Sequence, residues 1–293
     1  MPDVLLSGGC RALRERVEAE LSGHGFGPSG SPAGVVVNLD PGVGATRAAL
    51  AAADSSGAGH LVHLSSAAAY GAWPDNPVPL SEAAPLRPNP GAAFAVEAAE
   101  GERLVSEWRD AHPDVSVTVL RPTTTVAPGE RDRVTPLLGG YAGVGVRGAS
   151  RPVQAVHVDD VAGAVALAVE DRLDGTFNVA PDGWIPDSTA RAVAGGAVRL
   201  GLPARWAAAV QQVPPAVVAY TVHPWVVAND RLRAAGWKPT HTNEEALVAT
   251  SPQSWRDLSP RRRQELALGA AGVAVAGAAA GVVALVRRSG RAR

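Results

Sequence analysis

Residues 63–105, HLSSAAAYGAWPDNPVPLSEAAPLRPNPGAAFAVEAAEGERLV, decide the fold of this chain. They continue the apolar run His60–Leu64, which has the length and composition of a buried strand. Ser65 and Ser66 end this strand, a proline-rich loop follows, and a helical segment begins near Gly91. In open α/β sheets, ligands bind at the carboxyl ends of the strands. The two serines therefore mark a candidate site.

Apolar runs and amphipathic segments alternate on both sides of this stretch. Val4–Leu6 precedes a Ser-Gly-Gly turn, and from Arg11 to Leu21 apolar residues recur at helical spacing. Gly34–Leu39 and Val115–Leu120 are further candidate strands, each separated from its neighbours by a helical segment. Strands that alternate with helices predict an α/β protein with a doubly wound parallel sheet.

The order of the motifs resembles the extended short-chain dehydrogenase/reductases, specifically the NAD-dependent epimerase/dehydratase family. Family members have Ser-Ser-x-x-x-Tyr-Gly, then Tyr-x-x-x-Lys, then Glu-Arg-Leu-Val, and this chain matches the first and third motifs at 65–71 and 102–105. Leu-Arg-Pro at 120–122, Gln-Ala-Val-His-Val-Asp-Asp-Val-Ala at 154–162 and Gly-Thr-Phe-Asn-Val-Ala at 175–180 also match. The resemblance implies a Rossmann-like fold with a small substrate lobe, NAD(P) as cofactor, and a nucleotide-sugar or similar substrate.

The second family motif is the one that this chain lacks. Phe94 stands at the position of the catalytic Tyr and Ala98 at that of the Lys, so Ser66 is the retained member of the triad. A general acid must hold a titratable proton, which Phe94 does not, and Glu97 on the same helix does not recreate the Tyr position. The resemblance places Tyr70 in the substrate pocket. The sequence therefore predicts the family and argues against its ordinary hydride chemistry.

The glycine-rich turn that holds the cofactor pyrophosphate is also incomplete. Gly8 fits the first position of the family's Gly-x-x-Gly-x-x-Gly, but Arg11 and Arg14 occupy the other two. These arginines either bind an anion at the helix N-terminus or, as we favour, lie on a solvated helix face. The cofactor-binding candidates that the resemblance assigns are Gly8, Gly9, Arg121 and Pro122. For Arg121 and Pro122, a simple strand terminus is an equally good interpretation.

The segment between the first helix and the Gly34–Leu39 strand is very short. Only residues 24–33 lie there, and a further crossover unit needs about a dozen residues or more. We therefore predict a sheet shortened by two strands, without the acidic residue that binds the adenosine ribose in this family.

His157, Asp159 and Asp160 precede a clear helical run. A histidine beside two acids suggests a metal pair, but helix capping is the favoured interpretation, because the acids stand at the start of the helix. The resemblance places His157 beside the substrate pocket. The sequence predicts no metal site.

Composition narrows the possible partners. The chain has 293 residues, a formal net charge of -1 and one cysteine, Cys10. Near-zero charge gives no reason to expect nucleic acid. A single cysteine excludes an intrachain disulfide framework and a cysteine-cluster metal site. A small-molecule ligand is the expected partner.

The domain organisation follows from a change in composition near residue 250. We assign residues 1–250 to the epimerase/dehydratase-type domain, with the substrate lobe formed from about 130–155 and 184–226. The remaining segments are a polar linker at 251–265, an uncharged apolar stretch at 266–286 and a basic tail at 287–293.

The stretch 266–286 has the length of a transmembrane helix and carries a GxxxG pattern that allows two helices to approach closely. A soluble core helix is the competing interpretation. Since no signal peptide is evident, the simpler hypothesis is a single-pass tail anchor in the cell membrane, with the main domain in the cytoplasm.

Two hypotheses about function follow. The first is a membrane-anchored, catalytically degenerate relative, or pseudoenzyme, that binds a ligand or partner. The second is an active NAD(P)-dependent epimerase, dehydratase or reductase on a nucleotide-sugar or similar substrate, with an atypical site. Family resemblance also implies a possible homodimer formed through the helix around Phe94–Trp108.

Overall fold

The structure is a computed structural model that describes residues 3–28, 34–127, 144–146, 151–193, 200–202 and 215–250. These residues belong to one compact unit, Met1–Thr250. The linker, the apolar stretch and the basic tail lie outside the described residues. Within the described residues, no helix is both long enough and apolar enough to cross a membrane.

Short strands and longer helices alternate along the chain. The strands are β1 (Asp3–Ser7), β2 (Gly27–Pro28), β3 (Val35–Asn38), β4 (His60–Leu64), β5 (Ser116–Pro122), β6 (Thr124–Val126), β7 (Val144–Val146), β8 (Pro152–Val153), β9 (Ala155–His157), β10 (Gly175–Val179), β11 (Ile185–Pro186) and β12 (Leu200–Leu202). The α-helices are α1 (Arg11–Gly23), α2 (Val43–Ser56), α3 (Ala93–Ala111), α4 (Val158–Glu170), α5 (Asp187–Val193), α6 (Pro215–Val222), α7 (Asp230–Ala234) and α8 (Asn243–Thr250).

A six-stranded parallel sheet forms the centre, with strand order β10-β5-β4-β3-β1-β2. Helices α1 and α4 cover one face of this sheet, while α2 and α3 cover the other. The buried strands present apolar side chains to both faces: in β3, Val35 and Val37 pack toward α1 and α4, whereas Val36 packs toward α2 and α3. This is the doubly wound, Rossmann-like α/β architecture that the alternation of elements predicts.

We predicted that the sheet lacks two strands, but the first of these strands is present as β2. β2 pairs in parallel with β1, with Asp3 opposite Gly27 and Val4 opposite Pro28. No extra crossover is needed for β2, because α1 is itself the connection between β1 and β2. The next five residues, 29–33, are too few for another crossover helix. Among the described residues, the sheet therefore has no strand beyond β2 on this side.

Helix α3 approaches the sheet closely through a glycine. A Cβ built on Gly101 would lie 2.8 Å from the carbonyl oxygen of Pro41 and 3.1 Å from Oγ1 of Thr46. Any larger residue would push α3 away from the start of α2. Gly101 thus holds the first turns of α3, with Phe94 and Glu97, beside the carboxyl end of β3.

The smaller strands form three two-stranded pairs outside the central sheet: β6 with β9, β7 with β12, and β8 with β11. A small apolar cluster joins β6, β8 and β9 to α5 and α8. The predicted substrate lobe falls partly outside the described residues, since residues 130–143, 147–150, 194–199 and 203–214 belong to it.

Candidate ligand-binding cleft

A cleft of about 430 Å³ opens at the carboxyl ends of β1, β3, β4 and β5. This is the edge at which open α/β sheets bind ligands. Of the residues predicted from sequence, Gly9, Ser66 and Pro122 line the cleft, together with Phe94. The motif that defines the stretch 63–105 therefore forms one wall of this cleft.

Ser66 stands where β4 ends and a single 3-10 turn, Ala67–Tyr70, begins. Its Oγ accepts a hydrogen bond of 3.1 Å from the backbone N–H of Ala68, which fixes the side chain at the N-terminus of the turn. Ser66 is partly exposed to the cleft. Its hydroxyl proton has no acceptor among the described residues and is available to a ligand oxygen.

Among the described residues, no acid or base takes the place of the missing tyrosine at the position of Phe94. Ala98 is fully buried, and the ring of Phe94 packs against that of Tyr220 with centroids 5.0 Å apart. The Tyr220 hydroxyl donates to the carbonyl oxygen of Ala68 at 2.9 Å, and burial raises its pKa to about 12. Tyr220 does not line the cleft. It is therefore a packing residue and not a substitute proton donor.

Two carboxylates give the cleft a negative charge. Asp40 and Glu97 both line it, and a Cβ built on Gly42 would lie 3.0 Å from Oδ1 of Asp40 and 3.7 Å from Oε2 of Glu97. Asp40 accepts a hydrogen bond of 2.8 Å from the backbone N–H of Gly42, so it occupies the N-terminal end of α2. Among the described lining residues there is no Arg, Lys or His. The cleft therefore disfavours phosphate groups.

Two buried hydroxyls in the cleft lack hydrogen-bond partners. Thr123 and Thr124 line the wall formed by the end of β5 and the start of β6, and each is 4% exposed. Their Oγ1 atoms have no partner among the described residues. A buried polar atom without a partner costs about 1–3 kcal/mol, which a bound ligand with polar groups would offset.

Tyr70 and Arg121, predicted for the pocket and the cofactor site, instead form a buried network behind it. Arg121 Nη2 lies 2.5 Å from Oε2 of Glu102, and its Nη1 donates to the Tyr70 hydroxyl at 2.7 Å. That hydroxyl donates to Oδ1 of Asn178 at 2.9 Å, while Ser65 Oγ donates to Glu102 at 2.5 Å. Neither Tyr70 nor Arg121 lines the cleft, and both side chains are buried.

Burial and pairing set the protonation of this network. Burial raises the pKa of the Tyr70 hydroxyl, so it stays neutral and serves as donor and acceptor. Burial alone would lower the pKa of Arg121, but the hydrogen bonds and charge of Glu102 outweigh it and the net pKa is raised. The ion pair ties α3 to β5 beside Ser65, whose hydroxyl donates to Glu102.

His157 is the N-cap of α4 and is not among the residues that line the cleft. Its Nδ1 accepts a hydrogen bond of 3.3 Å from the backbone N–H of Asp159, as expected for a capping residue. His241, which no sequence motif singled out, stacks on it with ring centroids 4.0 Å apart and an interplanar angle of 24°. Asp160 holds this second histidine, with Oδ2 3.2 Å from its Nδ1. Val158 lines the cleft, whereas Asp159 and Asp160 line a groove on the other side of the helix start.

The arginines at the second and third glycine positions are solvated, as favoured from sequence. The side chain of Arg11 is 89% exposed and pairs with Glu15, while that of Arg14 is 44% exposed and pairs with Glu18. Neither lines the cleft. They therefore provide no anion-binding group inside it.

Comparison with known proteins identifies the family. A model of the NAD dependent epimerase/dehydratase family matches residues 39–180. A 3-diazoavenalumate denitrifying reductase from a Streptomyces species is 36% identical over 227 residues, covering 70% of this chain and 66% of that protein. Residues 39–180 belong to the NAD-dependent epimerase/dehydratase family, and the chain spans slightly less than two thirds of the Streptomyces relative's length.

Solved structures share the fold. RMD from Pseudomonas aeruginosa, complexed with NADPH, aligns with a TM-score of 0.64 at 17% identity, over 85% of this chain and 97% of that one. A UDP-glucose 4-epimerase from Thermus thermophilus, complexed with NAD, aligns with a TM-score of 0.63 at 18% identity, over 85% and 97% of the two chains.

Family resemblance associates the chain with NAD(P), but the residues present fit only one part of a dinucleotide site. Gly8 and Gly9 keep the left-handed turn, with φ of 68° and 83°. Both are needed for packing: a Cβ on Gly8 would lie 2.7 Å from Cβ of Asp40, and one on Gly9 would lie 2.7 Å from Cβ of Leu39. The turn is thus fully explained without a pyrophosphate.

The described residues lack the acidic group that binds the adenosine ribose, and the negative charge of the cleft disfavours the phosphates. β2 ends at Pro28, and the sequence holds no Asp or Glu from Leu21 to Leu39 that would bind the adenosine ribose. Two carboxylates, Asp40 and Glu97, line the same cleft as Gly9. The described residues therefore do not fit NAD(P), and the chemistry of the cleft has to be derived from the chain's own side chains.

Proposed function

We propose that this chain is a ligand-binding member of the family that has lost hydride chemistry. The observation that carries the proposal is Phe94, which takes the place of the proton donor in the wall of the cleft. Loss of a general acid/base typically costs about a hundred- to ten-thousand-fold in rate. The lack of a fit for NAD(P) removes the hydride source as well.

The negative charge of the cleft determines which ligands it would bind. Asp40 and Glu97 favour a neutral or cationic ligand over a phosphorylated one, while Phe94 and Trp225 supply an aromatic surface. Ser66 and the two unpartnered threonine hydroxyls are the groups that would bind the ligand's polar atoms. In this proposal the pocket holds a small, partly aromatic molecule and does not transform it.

A cofactor titration tests this proposal. We expect the full chain to show no saturable change in nicotinamide fluorescence with NADH or NADPH up to millimolar concentration. The matched variant Asp40→Asn with Glu97→Gln removes the negative charge and keeps the hydrogen-bond acceptors. If this variant binds the dinucleotide, the negative charge of the cleft is the main barrier to binding. If it does not, the main barrier is the lack of an acidic residue after β2 to bind the adenosine ribose. Saturable micromolar binding by the unmodified chain would refute the loss of cofactor.

A reductase is the second candidate function. The Streptomyces relative, 36% identical, is named as a reductase. A reductase that delivers hydride to carbon without protonating an oxygen needs no tyrosine-type proton donor, so Phe94 and Ala98 do not exclude it. The two cleft carboxylates would suit a positively charged acceptor. Micromolar NADH or NADPH binding in the titration above would favour this function.

We also propose that residues 266–286 anchor the chain in a membrane, with the main domain in the cytoplasm. The support is the sequence: twenty-one residues without a charged or polar side chain, followed by Arg287 and Arg288. We expect the full chain to sediment with the membrane fraction and a chain ending at Arg263 to stay in the supernatant. Two soluble chains would refute the anchor. Homodimer formation through the helix around Phe94–Trp108 stays a prediction.

A further inference from the structure

Three side chains at the start of α4 can reach a single ion. Candidate ligand atoms of His157, Asp159 and His241 all lie within 4.8 Å of one another. His157 Nδ1 and Asp159 Oδ2 are 3.4 Å apart. This is close to the separation of about 3.3 Å expected for two ligands about 2.0–2.1 Å from a tetrahedral Zn²⁺. The spacing suits a transition-metal ion, which would take the place of the hydrogen bond that His157 Nδ1 accepts from the backbone N–H of Asp159.

Asp160 positions the third ligand. Its side chain is 1% exposed and accepts hydrogen bonds from the backbone N–H of Thr240 at 2.7 Å and of His241 at 3.1 Å. It also lies 3.2 Å from Nδ1 of the His241 ring. A carboxylate on one ring nitrogen is the outer-shell arrangement that orients metal-binding histidines, and it leaves Nε2 free to coordinate.

The local charges allow a cation at this place. Helix N-termini carry about half a positive charge, which disfavours a cation, but Asp159 and Asp160 add two negative charges. Arg16 offsets part of this, with its Nε 3.1 Å from Asp159 Oδ1. The two rings are nearly parallel, so one must turn; His241 has room, since its side chain is 30% exposed.

We propose that His157, Asp159 and His241 bind a divalent transition-metal ion such as Zn²⁺, with water at the fourth position. Two imidazoles and one carboxylate favour such an ion over Mg²⁺ or Ca²⁺, which prefer oxygen ligands only. The bound ion would join the end of β9 to the segment before α8. Its role is to hold the C-terminal part of the domain on the core.

Metal titration of the full chain, purified without a histidine tag and treated with chelator, tests the site. We expect calorimetry to give one Zn²⁺ per chain, Co²⁺ to give the absorption bands of a tetrahedral site, and Zn²⁺ to raise the unfolding temperature. His241→Ala and Asp159→Asn should each weaken binding by more than about 100-fold, since even outer-shell partners contribute about 10- to 100-fold. A chain that binds no Zn²⁺ would overturn the proposal.

His24→Ala is the matched control. His24 borders the same groove and lies 2.8 Å from Oε2 of Glu170, but it is outside the three-ligand set. We expect it to bind Zn²⁺ as tightly as the unmodified chain. Asp159→Asn keeps the shape of the side chain, so we expect it to fold. Thermal denaturation without metal compares its stability with that of the unmodified chain. Equal stability would show that its weaker Zn²⁺ binding does not come from unfolding. Equal losses in His24→Ala and His241→Ala would place the ion elsewhere and refute the site.

Discussion

Replacing Glu102 by Gln is expected to lower the free energy of unfolding by about 3–5 kcal/mol. Arg121 and Glu102 each have side chains that are 8% exposed, and they approach to 2.5 Å. Glu102→Gln leaves a buried guanidinium without its counter-charge, and the hydroxyl of Tyr70 cannot compensate for it. Removing one partner of a buried pair is costly because the remaining charge has lost its water.

Equilibrium unfolding in urea measures this effect against a control on the same helix. Glu107 pairs with Arg103 on the exposed face of α3, and its side chain is 61% exposed. Glu107→Gln should cost less than about 1 kcal/mol, since water screens the pair. If the two variants lose the same stability, the buried pair contributes no more than an exposed one, and our account of the network is wrong.

A double variant separates the unpaired charge from the loss of packing. In Glu102→Gln with Arg121→Met, no buried charge remains without a partner. We expect it to recover a large part of the stability that Glu102→Gln loses, because an uncharged pair of similar volume replaces a buried ion pair at little net cost. In this variant Ser65 can still donate to the amide introduced at position 102, and Tyr70 to Asn178.

Continuous apolar strands and amphipathic helices made most of the fold predictable. His60–Leu64 is a strand with the bounds expected from sequence, because five consecutive buried residues produce an unmistakable pattern. Two-residue β2 has no periodicity at all. Its pairing with β1 follows from the way α1 returns the chain to the sheet edge, which is a tertiary effect. A strand was therefore predictable from sequence where it is long enough to form a continuous apolar run.

Site residues were predictable only where their position at the end of a strand or the start of a helix places them in the cleft. Ser66 and Phe94 come from motifs at a strand end and at a helix start, and both line the cleft. Tyr70 and Arg121 come from the same motifs, but the direction of their side chains depends on Glu102, a contact that the motif spacing does not specify. His241 stacks on His157 and contacts Asp160, from which it is 81 residues distant in sequence. Contacts of this kind carry no local signal.

Acidification from pH ~7.5 to pH ~5 is expected to lower the stability by about 4 kcal/mol through two buried histidines on β4. His60 and His63 are 0% exposed. Desolvation by burial is the main cause that lowers the pKa of each from 6.5 to about 4. The unfolded chain takes up protons below pH ~6.5 and the folded chain only near pH ~4, so stability falls with pH across this window. Each histidine contributes about 2 kcal/mol at pH ~5.

The hydrogen bonds of these histidines explain why they stay neutral. His60 Nε2 lies 2.9 Å from Oγ1 of Thr118, which itself donates to the carbonyl oxygen of Leu173, so Nε2 must carry the proton. His63 Nδ1 accepts from the Asn38 amide at 3.0 Å. The other ring nitrogen of each has no partner among the described residues. A second proton would therefore place a buried charge on a ring nitrogen that has no hydrogen-bond partner among the described residues.

The double variant His60→Leu with His63→Leu isolates the contribution of the two histidines to the change of stability with pH. Thr118 keeps its bond to Leu173, and Asn38 Nδ2 keeps a bond of 2.8 Å to the carbonyl oxygen of Asp40, so neither polar partner is orphaned. Whatever the variant's stability near neutral pH, its loss between pH ~7.5 and pH ~5 should be about 4 kcal/mol smaller than that of the unmodified chain. Contributions from other groups cancel in this difference. Equal slopes for the double variant and the unmodified chain would mean that the folded protein protonates these histidines, and that water reaches β4.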